Sequence, residues 1–179
     1  YGGSFNPPHA GHVAVVAHVL ATAEVDAVWL VPCPAHAFDK ALAPFADRVA
    51  MCQEMLGIFA PERVSVSTVE AELPAPARTI DTLEHLRGLH PATRFDLAVG
   101  SDILHERHKW KRWPDIDATT RLIVLGREGW PAPHPYTATP PLLSASSSDL
   151  RARLAAGQST DGLLPRAVRA YIDARELYR

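Results

Sequence analysis

The stretch GGSFNPPHAGH (residues 2–12) decides the fold that the rest of the chain must form. Gly2 and Gly3 let the backbone adopt positive φ and approach a ligand closely, and a helix of apolar residues follows them. The N-terminus of such a helix presents free N–H groups and the positive end of its dipole. We therefore expect an anion site between a strand and a helix, with His9 and His12 directed at the bound group.

Two imidazoles in one loop also raise the question of a zinc site. Zinc takes three or four protein ligands, but no carboxylate or third ligand lies near His9 and His12 in the sequence. A second pair, His105 and His108, lies in the order H-E-R-H, which lacks the H-E-x-x-H spacing of zinc proteases. We therefore predict polyphosphate at the opening stretch, with zinc as the less favoured alternative, and no metal site.

Apolar runs alternate with segments of helical period along the rest of the chain. Nearly continuous apolar runs predict strands at 26–33, 63–69, 94–100 and 121–126. Spacings of three and four residues predict helices at 12–23, 45–59 and 79–89, and two more at 146–157 and 165–178, after a proline-rich loop at 126–143. The alternation predicts an α/β fold, a Rossmann-like open parallel sheet with helices on both faces and a small C-terminal helical part at 142–179.

Length and composition indicate one domain. A chain of 179 residues, 47% of them hydrophobic, is long enough for one substantial core, so we predict a single domain over residues 1–179. Because Tyr1 supplies at most the last position of the strand that the opening turn requires, we expect an N-terminal strand to precede it.

Charge and cysteine usage exclude several classes of protein. A formal net charge of -2 argues against coating nucleic acid or an anionic membrane through bulk charge. Cys33 and Cys52 lack metal-type spacing, the apolar stretch at 13–23 is too short to span a bilayer, and no signal segment is recognisable. We expect a cytoplasmic protein.

The opening stretch closely resembles the signature GG-S/T-F-D/N-P-x-H-x-GH of the HxGH nucleotidyltransferase superfamily, in the form found in bacterial nicotinate-nucleotide adenylyltransferases. Near the other end, SASSSDLRARL (144–154) is similar to the family's ISSTxIR motif. Ala145 stands at the isoleucine of that motif and Ser148 at its threonine. The likeness continues through RTIDTL (78–83), GSDIL (100–104) and HKWKRW (108–113) to the closing helix.

The resemblance implies adenylyl transfer from ATP to nicotinate mononucleotide, a step of NAD biosynthesis that yields nicotinate adenine dinucleotide and pyrophosphate. His9 and His12 would be the catalytic residues, and magnesium would arrive with ATP. The positions that match the family's ATP-binding residues are Gly2, Gly3, Ser4, Phe5, His9, His12, Gly100, Asp102, Ser146, Ser147, Ser148 and Arg151.

Two of these assignments also have support from the residues themselves. Asp102 follows a strand at the carboxyl edge of a parallel sheet, where α/β folds bind ligands. Serines before a helix, together with an arginine, make a phosphate cradle. Simple helix capping explains the serine run, taken alone, equally well.

The assignment of residues to the acceptor, nicotinate mononucleotide, depends more fully on the resemblance. The positions that match nicotinate mononucleotide contacts are Asn6, Lys40, Arg78, Thr79 and Trp110. Thr79 would receive the nicotinate carboxylate and Trp110 would stack on the pyridine ring. Arg78 stands where an aromatic residue is frequent, and Asp39 replaces a histidine beside Lys40. Plainer roles stay open: a surface arginine at 78, core packing for Trp110 and a solvated lysine at 40.

Two alternatives to this function stay open. In the first alternative, the chemistry is the same but the acceptor is nicotinamide mononucleotide or, less favoured, phosphopantetheine, since the HxGH and serine motifs are shared across the superfamily. The other alternative is a nucleotide-binding regulator without turnover. The expected partners are ATP and a pyridine mononucleotide, without nucleic acid or membrane, and the sequence does not indicate an oligomeric state.

Overall fold

Short parallel strands form the centre of the molecule. The computed structural model describes residues 1–35, 42–143 and 145–179. The strands are β1 (Gly2–Gly3), β2 (Val28–Pro32), β3 (Val64–Val66), β4 (Leu97–Gly100) and β5 (Leu122–Leu125). β2 lies between β1 and β3, with Gly2 opposite Val31 and Val28 opposite Val64. β4 pairs with β5 along its whole length.

Helices connect and cover these strands. They are α1 (Ala10–Thr22), α2 (Phe45–Leu56), α3 (Thr79–Leu89), α4 (Ser101–His105), α5 (Trp113–Thr119), α6 (Ser147–Ala155) and α7 (Arg166–Ala174), with short 3₁₀ helices at Val69–Glu72 and Arg107–Lys109. α1 connects β1 to β2 and α2 connects β2 to β3, as parallel pairing requires. Among the described residues, no helix has the length and hydrophobicity that crossing a membrane requires.

Both faces of the strands are covered, because successive side chains of a strand point to opposite faces. On β4, Ala98 packs into the main core with α1 and α2, whereas Leu97 and Val99 pack into a second core with α3 and α5. Leu30 of β2 and Leu125 of β5 share the main core. The predicted arrangement of helices on both faces of a parallel sheet is confirmed.

Several details differ from the prediction, and three of them concern the sheet and the start of α1. The sequence predicts one sheet, but the described strands form two hydrogen-bonded groups, β1-β2-β3 and β4-β5, since β1 has only two residues with which to pair. The strand predicted at 63–69 is paired only over Val64–Val66, because a 3₁₀ helix begins at Val69, whose side chain is buried. α1 begins at Ala10 rather than at residue 12, because His9 takes the extended position before the helix.

The C-terminal helices pack onto the main core. Leu150 of α6 and Val168 and Ile172 of α7 are buried in it. The proline-rich segment at 126–143 contains no helix, as predicted, and Thr139 donates its N–H to the carbonyl of Val124 beside β5. The C-terminal part of the chain therefore meets the loop that follows β1.

Candidate active site

The loop between β1 and α1 carries the predicted anion site, and most of it is buried. Residues 5–9 are all buried. His9 has an extended backbone, with φ at −150°, and stands immediately before α1. Of the first N–H groups of α1, that of Ala10 donates to the carbonyl of Leu163 and that of His12 to the carbonyl of His9, both at 2.8 Å. The positive end of the helix dipole, rather than a set of free donors, therefore faces this loop.

His9 and His12 form a stacked pair at the start of α1. Their ring centroids lie 3.7 Å apart with 26° between the planes. The backbone N–H of His9 donates to Nδ1 of His12 at 3.0 Å. A neutral imidazole has one donor and one acceptor nitrogen, so His12 carries its proton on Nε2. The Phe5 ring meets the ring of His12 at 4.9 Å, in an edge contact.

Both imidazoles are neutral at pH 7. Burial, with a smaller contribution from the positive charge of Arg127, lowers the pKa of His9 to about 4. Burial, His9 and Arg127 together hold the pKa of His12 well below its ordinary value. A bound anion would favour the protonated rings, since an opposite charge within a few ångströms stabilises the charged form. The pair therefore offers N–H donors and can accept protons as negative charge develops beside it.

Gly11 has no side chain, which leaves room for the ring of His9 in the histidine pair. A Cβ at this position would lie 3.0 Å from Nδ1 of His9 and 3.0 Å from the carbonyl oxygen of Leu143. Nδ1 of His9 is buried without a hydrogen-bond partner in the described part of the chain. Gly11 also lines a cavity that reaches the ends of β4 and β5 at Gly100 and Gly126. The absence of a side chain at Gly11 thus leaves room for the ring of His9 and for the cavity.

Asp102 lies at the carboxyl end of β4, as predicted. Gly100 ends the strand, and a Cβ at that position would overlap Oδ1 of Asp102. This oxygen is buried and has no hydrogen-bond partner among the described residues. Nε of Arg127 is 3.8 Å away, which is beyond hydrogen-bond distance. A buried carboxylate oxygen without a donor is a place where a ligand hydroxyl fits.

The serine motif begins α6 as a helix cap. Ser146 precedes the helix, and its Oγ accepts the N–H of Asp149 at 3.4 Å. Oγ of Ser148 accepts from Nη2 of Arg151 at 3.2 Å. The capping role that the sequence left open is therefore present, and phosphate binding by these serines stays a prediction.

Two hydrogen bonds join the serine motif to the opening motif. Ser147 Oγ donates to the carbonyl of Pro7 at 3.0 Å, and Nη1 of Arg151 donates to the carbonyl of Asn6 at 2.7 Å. These contacts link residues about 140 positions apart in the chain. The structure therefore brings the two predicted phosphate-binding motifs together at one loop.

Asn6, predicted to contact the acceptor, has its side-chain oxygen in contact with the protein. Oδ1 accepts the N–H of Ala43 at 3.1 Å and the hydroxyl of Tyr178 at 2.7 Å. The residue is buried. In this structure Asn6 holds the loop in place, and contact with the acceptor stays a prediction.

Three further residues predicted to contact the acceptor, Arg78, Thr79 and Trp110, lie near the second core. Arg78 is the residue before α3, and Thr79 is the first residue of that helix. Trp110 is half-buried and meets Trp113 edge to face at 5.5 Å, packed against the same core as Ile80. The core-packing alternative for Trp110 is thus realised in part. Lys40 and its neighbour Asp39 lie outside the described residues.

The structure adds two arginines that the sequence did not single out as site residues. Arg48 of α2 is fully buried and donates to the carbonyls of Ser4 and Cys33. Arg127 follows β5 and its charge acts on both histidines. The rule that located Asp102, a position just beyond a parallel strand, also applies to Arg127. Among the described residues, no group of three or more His, Cys, Asp or Glu is placed to hold a metal ion.

Comparisons with known proteins show the family to which the chain is similar. The sequence profile of the Cytidylyltransferase-like family matches residues 1–153. A probable nicotinate-nucleotide adenylyltransferase of Anaeromyxobacter dehalogenans is 47% identical over 99% of this chain and 94% of its own length. That of Myxococcus xanthus is 42% identical over 99% of this chain and 92% of its own length.

A solved structure shows the same fold. The nicotinic acid mononucleotide adenylyltransferase of Plasmodium falciparum, complexed with NaAD, superposes with a TM-score of 0.85 at 23% identity, over 99% of this chain and 95% of that one. The profile match and the identity to the bacterial relatives settle the family. The chain belongs to the Cytidylyltransferase-like family and, within it, to the nicotinate-nucleotide adenylyltransferases.

Proposed function

We propose that this protein transfers the adenylyl group of ATP to nicotinate mononucleotide and releases nicotinate adenine dinucleotide and pyrophosphate. The observation that carries the proposal is the stacked His9–His12 pair at the N-terminus of α1, beside a cavity that reaches the ends of β4 and β5. Bacterial relatives up to 47% identical carry the corresponding name.

ATP occupies the cavity between α1 and the ends of β4 and β5. The phosphates lie at the α1 N-terminus, where the positive end of the helix dipole and both imidazoles favour an anion. The adenosine lies toward Gly100 and Asp102, whose unpartnered Oδ1 accepts a ribose hydroxyl. Gly2, Gly3, Ser4 and Phe5 form the floor of the phosphate site, and the serine motif with Arg151 closes it from the other side.

Nicotinate mononucleotide occupies the side nearer to the second core. Its carboxylate lies at the N-terminus of α3, at Thr79, where free N–H groups and the positive end of the helix dipole favour an anion. The guanidinium of Arg78 stands at the same helix end and favours an acid over an amide. Trp110 stacks on the pyridine ring, and Asn6 lies on the phosphate side of the acceptor. A contact from Lys40 to that phosphate stays a prediction from the sequence.

The reaction is a direct in-line displacement. An oxygen of the acceptor's 5′-phosphate forms a bond to the α-phosphorus of ATP while the bond from that phosphorus to the bridging oxygen of pyrophosphate breaks. His9 and His12 donate hydrogen bonds to the phosphoryl oxygens, where negative charge accumulates, and the dipole of α1 stabilises the same charge. Because both rings are neutral before ATP binds, they gain positive charge as the anion arrives. Magnesium enters as part of the MgATP substrate and neutralises phosphate charge.

Pyrophosphate release with MgATP tests the proposal. The assay is run in parallel with nicotinate mononucleotide, nicotinamide mononucleotide and phosphopantetheine as acceptors. We expect release to favour the nicotinate acceptor strongly. Equal use of the two pyridine nucleotides would contradict the acid preference, and binding of ATP without release in any reaction would contradict the enzymatic function.

A matched pair of variants tests the role of the histidines. His12→Asn removes the Nε2–H donor and should lower kcat by about 100-fold or more, as loss of one transition-state donor does. His18→Asn changes a histidine of the same helix outside the cavity and should leave kcat unchanged. Equal activity of the two variants would contradict the assignment.

A further inference from the structure

Arg127 lines the cavity between the proposed adenosine side and the proposed phosphate side. It comes directly after Gly126, which follows β5, and lines the same cavity as Gly11 and Gly100. A Cβ at Gly100 would lie 3.1 Å from Nε of Arg127. The side chain therefore runs past the end of β4 and over the cavity.

The backbone of Arg127 is held firmly by a buried serine. Ser101, with no exposed surface, accepts the N–H of Arg127 on its Oγ at 2.9 Å and donates that hydroxyl to the carbonyl of Trp130 at 2.6 Å. The N–H of Trp130 closes the turn on the carbonyl of Arg127 at 3.0 Å. Gly129 takes a positive φ of 78° inside this turn. The start of the Arg127 side chain is thus fixed relative to β4.

The guanidinium has donors that no hydrogen bond uses. It forms a loose ion pair with Asp102, whose Oδ1 lies 3.8 Å from Nε, but it makes no hydrogen bond within the described part of the chain. Arg151, the arginine that the sequence indicates for phosphate, already donates to the carbonyl of Asn6 and to Ser148. Arg127 therefore has more capacity than Arg151 to bind an anion in a forked geometry.

The charge of Arg127 also reaches the histidine pair. It contributes to the lowered pKa of both His9 and His12, so the guanidinium lies within their electrostatic range. Its neighbours on the other side are Asp102 and Gly100, at the adenosine end of the cavity. A group between a ribose site and a phosphate site is next to the α-phosphate, which joins the two parts of ATP.

We propose that Arg127 is a further substrate-binding residue whose guanidinium binds the α-phosphate of ATP. This inference rests on the proposed adenylyl transfer, in which the α-phosphorus is attacked. The guanidinium donates to the non-bridging oxygens of the α-phosphate and stabilises the charge that develops there during transfer. Ser101 is a positioning residue, because it acts through the backbone of the turn.

Binding measurements without an acceptor test this assignment. Arg127→Gln is compared with Arg153→Gln, an α6 arginine with the same exposed fraction of side chain, 41%, that pairs with Asp149. Affinity for ATP and AMP is measured by calorimetry, and that for adenosine by chemical-shift titration, which follows weak binding. We expect Arg127→Gln to weaken ATP and AMP by about tenfold or more, as loss of a charge-assisted bond does, and to leave adenosine binding unchanged.

Each other outcome would overturn the proposal. Weaker ATP binding with normal AMP binding would place the guanidinium at the terminal phosphates, and an equal loss for adenosine would place it at the nucleoside. Normal affinity for all ligands, or the same losses in Arg153→Gln, would remove Arg127 from the site. Because no acceptor is present, these results stand apart from the pyrophosphate assay, whose failure would concern the reaction alone.

Discussion

At the scale of single residues, the position of the histidine pair depends on Gly11, which has no reactive side chain. Gly11 lies in the first turn of α1 with an ordinary helical backbone, so its small size matters rather than its freedom in φ. The ring of His9 and the carbonyl of Leu143 both approach within 3.0 Å of the place where a Cβ would lie. The second of these contacts is backbone, which cannot rotate away as a side chain does.

Replacing Gly11 should therefore disturb the site more than the helix. We expect Gly11→Ala to displace the ring of His9, to lower kcat by about tenfold or more and to cost about 1–3 kcal/mol of stability through overpacking. Gly88→Ala, in α3, is the control, since a Cβ there meets nothing within 4 Å, and it should gain about 0.5–1 kcal/mol from helix propensity. Steady-state kinetics and urea unfolding of both variants check this, and normal activity of Gly11→Ala would contradict it.

The two buried imidazoles also predict how stability depends on pH. The pKa of His9 is lowered to about 4, and that of His12 is lowered as well, by burial and by the charge of Arg127. Histidine in the unfolded chain titrates near 6.5, so the unfolded state binds more protons below that pH. The free energy of unfolding must then fall as the pH drops from about 6.5 toward 4.

For His9 alone, this loss amounts to about 2 kcal/mol at pH 5. Urea unfolding at pH 7, 6 and 5 measures it in the protein without ligand. The double variant His9→Asn, His12→Asn lacks both groups and should show a flatter dependence over the same range. Parallel curves for the two proteins would show that other groups cause the loss.

At the scale of elements, α2 organises the loops around the site through one buried arginine. Arg48 is fully buried and donates to the carbonyls of Ser4, Cys33, Pro34 and Ala43 at 2.8–3.0 Å. These carbonyls belong to the loop after β1, the segment after β2 and the start of α2. A guanidinium carries five donors, enough for these four carbonyls, whereas an ammonium carries three.

Replacing the guanidinium of Arg48 by an ammonium should destabilise the whole protein. Arg48→Lys keeps the charge but leaves buried carbonyls without a donor, and we expect it to cost about 3 kcal/mol. Arg63→Lys is the matched control, because Arg63 also donates to backbone carbonyls, of Val25 and Asp26, but is exposed. It should cost less than about 1 kcal/mol. Equal unfolding midpoints in urea would contradict the role given to Arg48.

At the scale of the whole molecule, the C-terminal part closes the site that the N-terminal loop begins. The carbonyl of Leu163 accepts the N–H of Ala10 at 2.8 Å, and the hydroxyl of Tyr178 donates to Asn6 at 2.7 Å. Further from the loop, Tyr171 donates to Asp47 of α2 at 2.8 Å. The last helix and the residues after it therefore contact both the opening loop and α2.

Variants of Tyr178 and Tyr171 distinguish an effect on stability from an effect on catalysis. Tyr178→Phe and Tyr171→Phe each remove one partly buried hydrogen bond, and each should cost about 1 kcal/mol. Only Tyr178→Phe removes a hydrogen bond to the side chain of Asn6 in the opening loop, so only this variant should lower kcat/KM, by about threefold or more, as a misplaced site does. Thermal unfolding and kinetics of both variants check this, and the same kinetic loss in both would contradict a specific role for Tyr178.

Elements with strong local signals were predicted closely from the sequence. α3 has the predicted bounds of 79 and 89, because its apolar spacing is regular and its first residue follows an extended arginine. α2 begins at Phe45 as predicted but ends at Leu56 rather than 59. The short helices α4 and α5 were not predicted, because turns of five and seven residues leave too few positions to establish a period.

The sequence by itself determined the fold class, the family resemblance and the identity of the main candidate residues, since alternating apolar patterns and the opening motif are local properties. Only the tertiary structure decided which groups face one another. It stacked His9 on His12, tied Arg151 to the opening loop and placed Arg127 over the cavity. The contacts of Arg151 and Arg127 join residues far apart in the chain, and the His9–His12 stack depends on the backbone conformation before α1, so their geometry depends on how the chain packs, which no local pattern records.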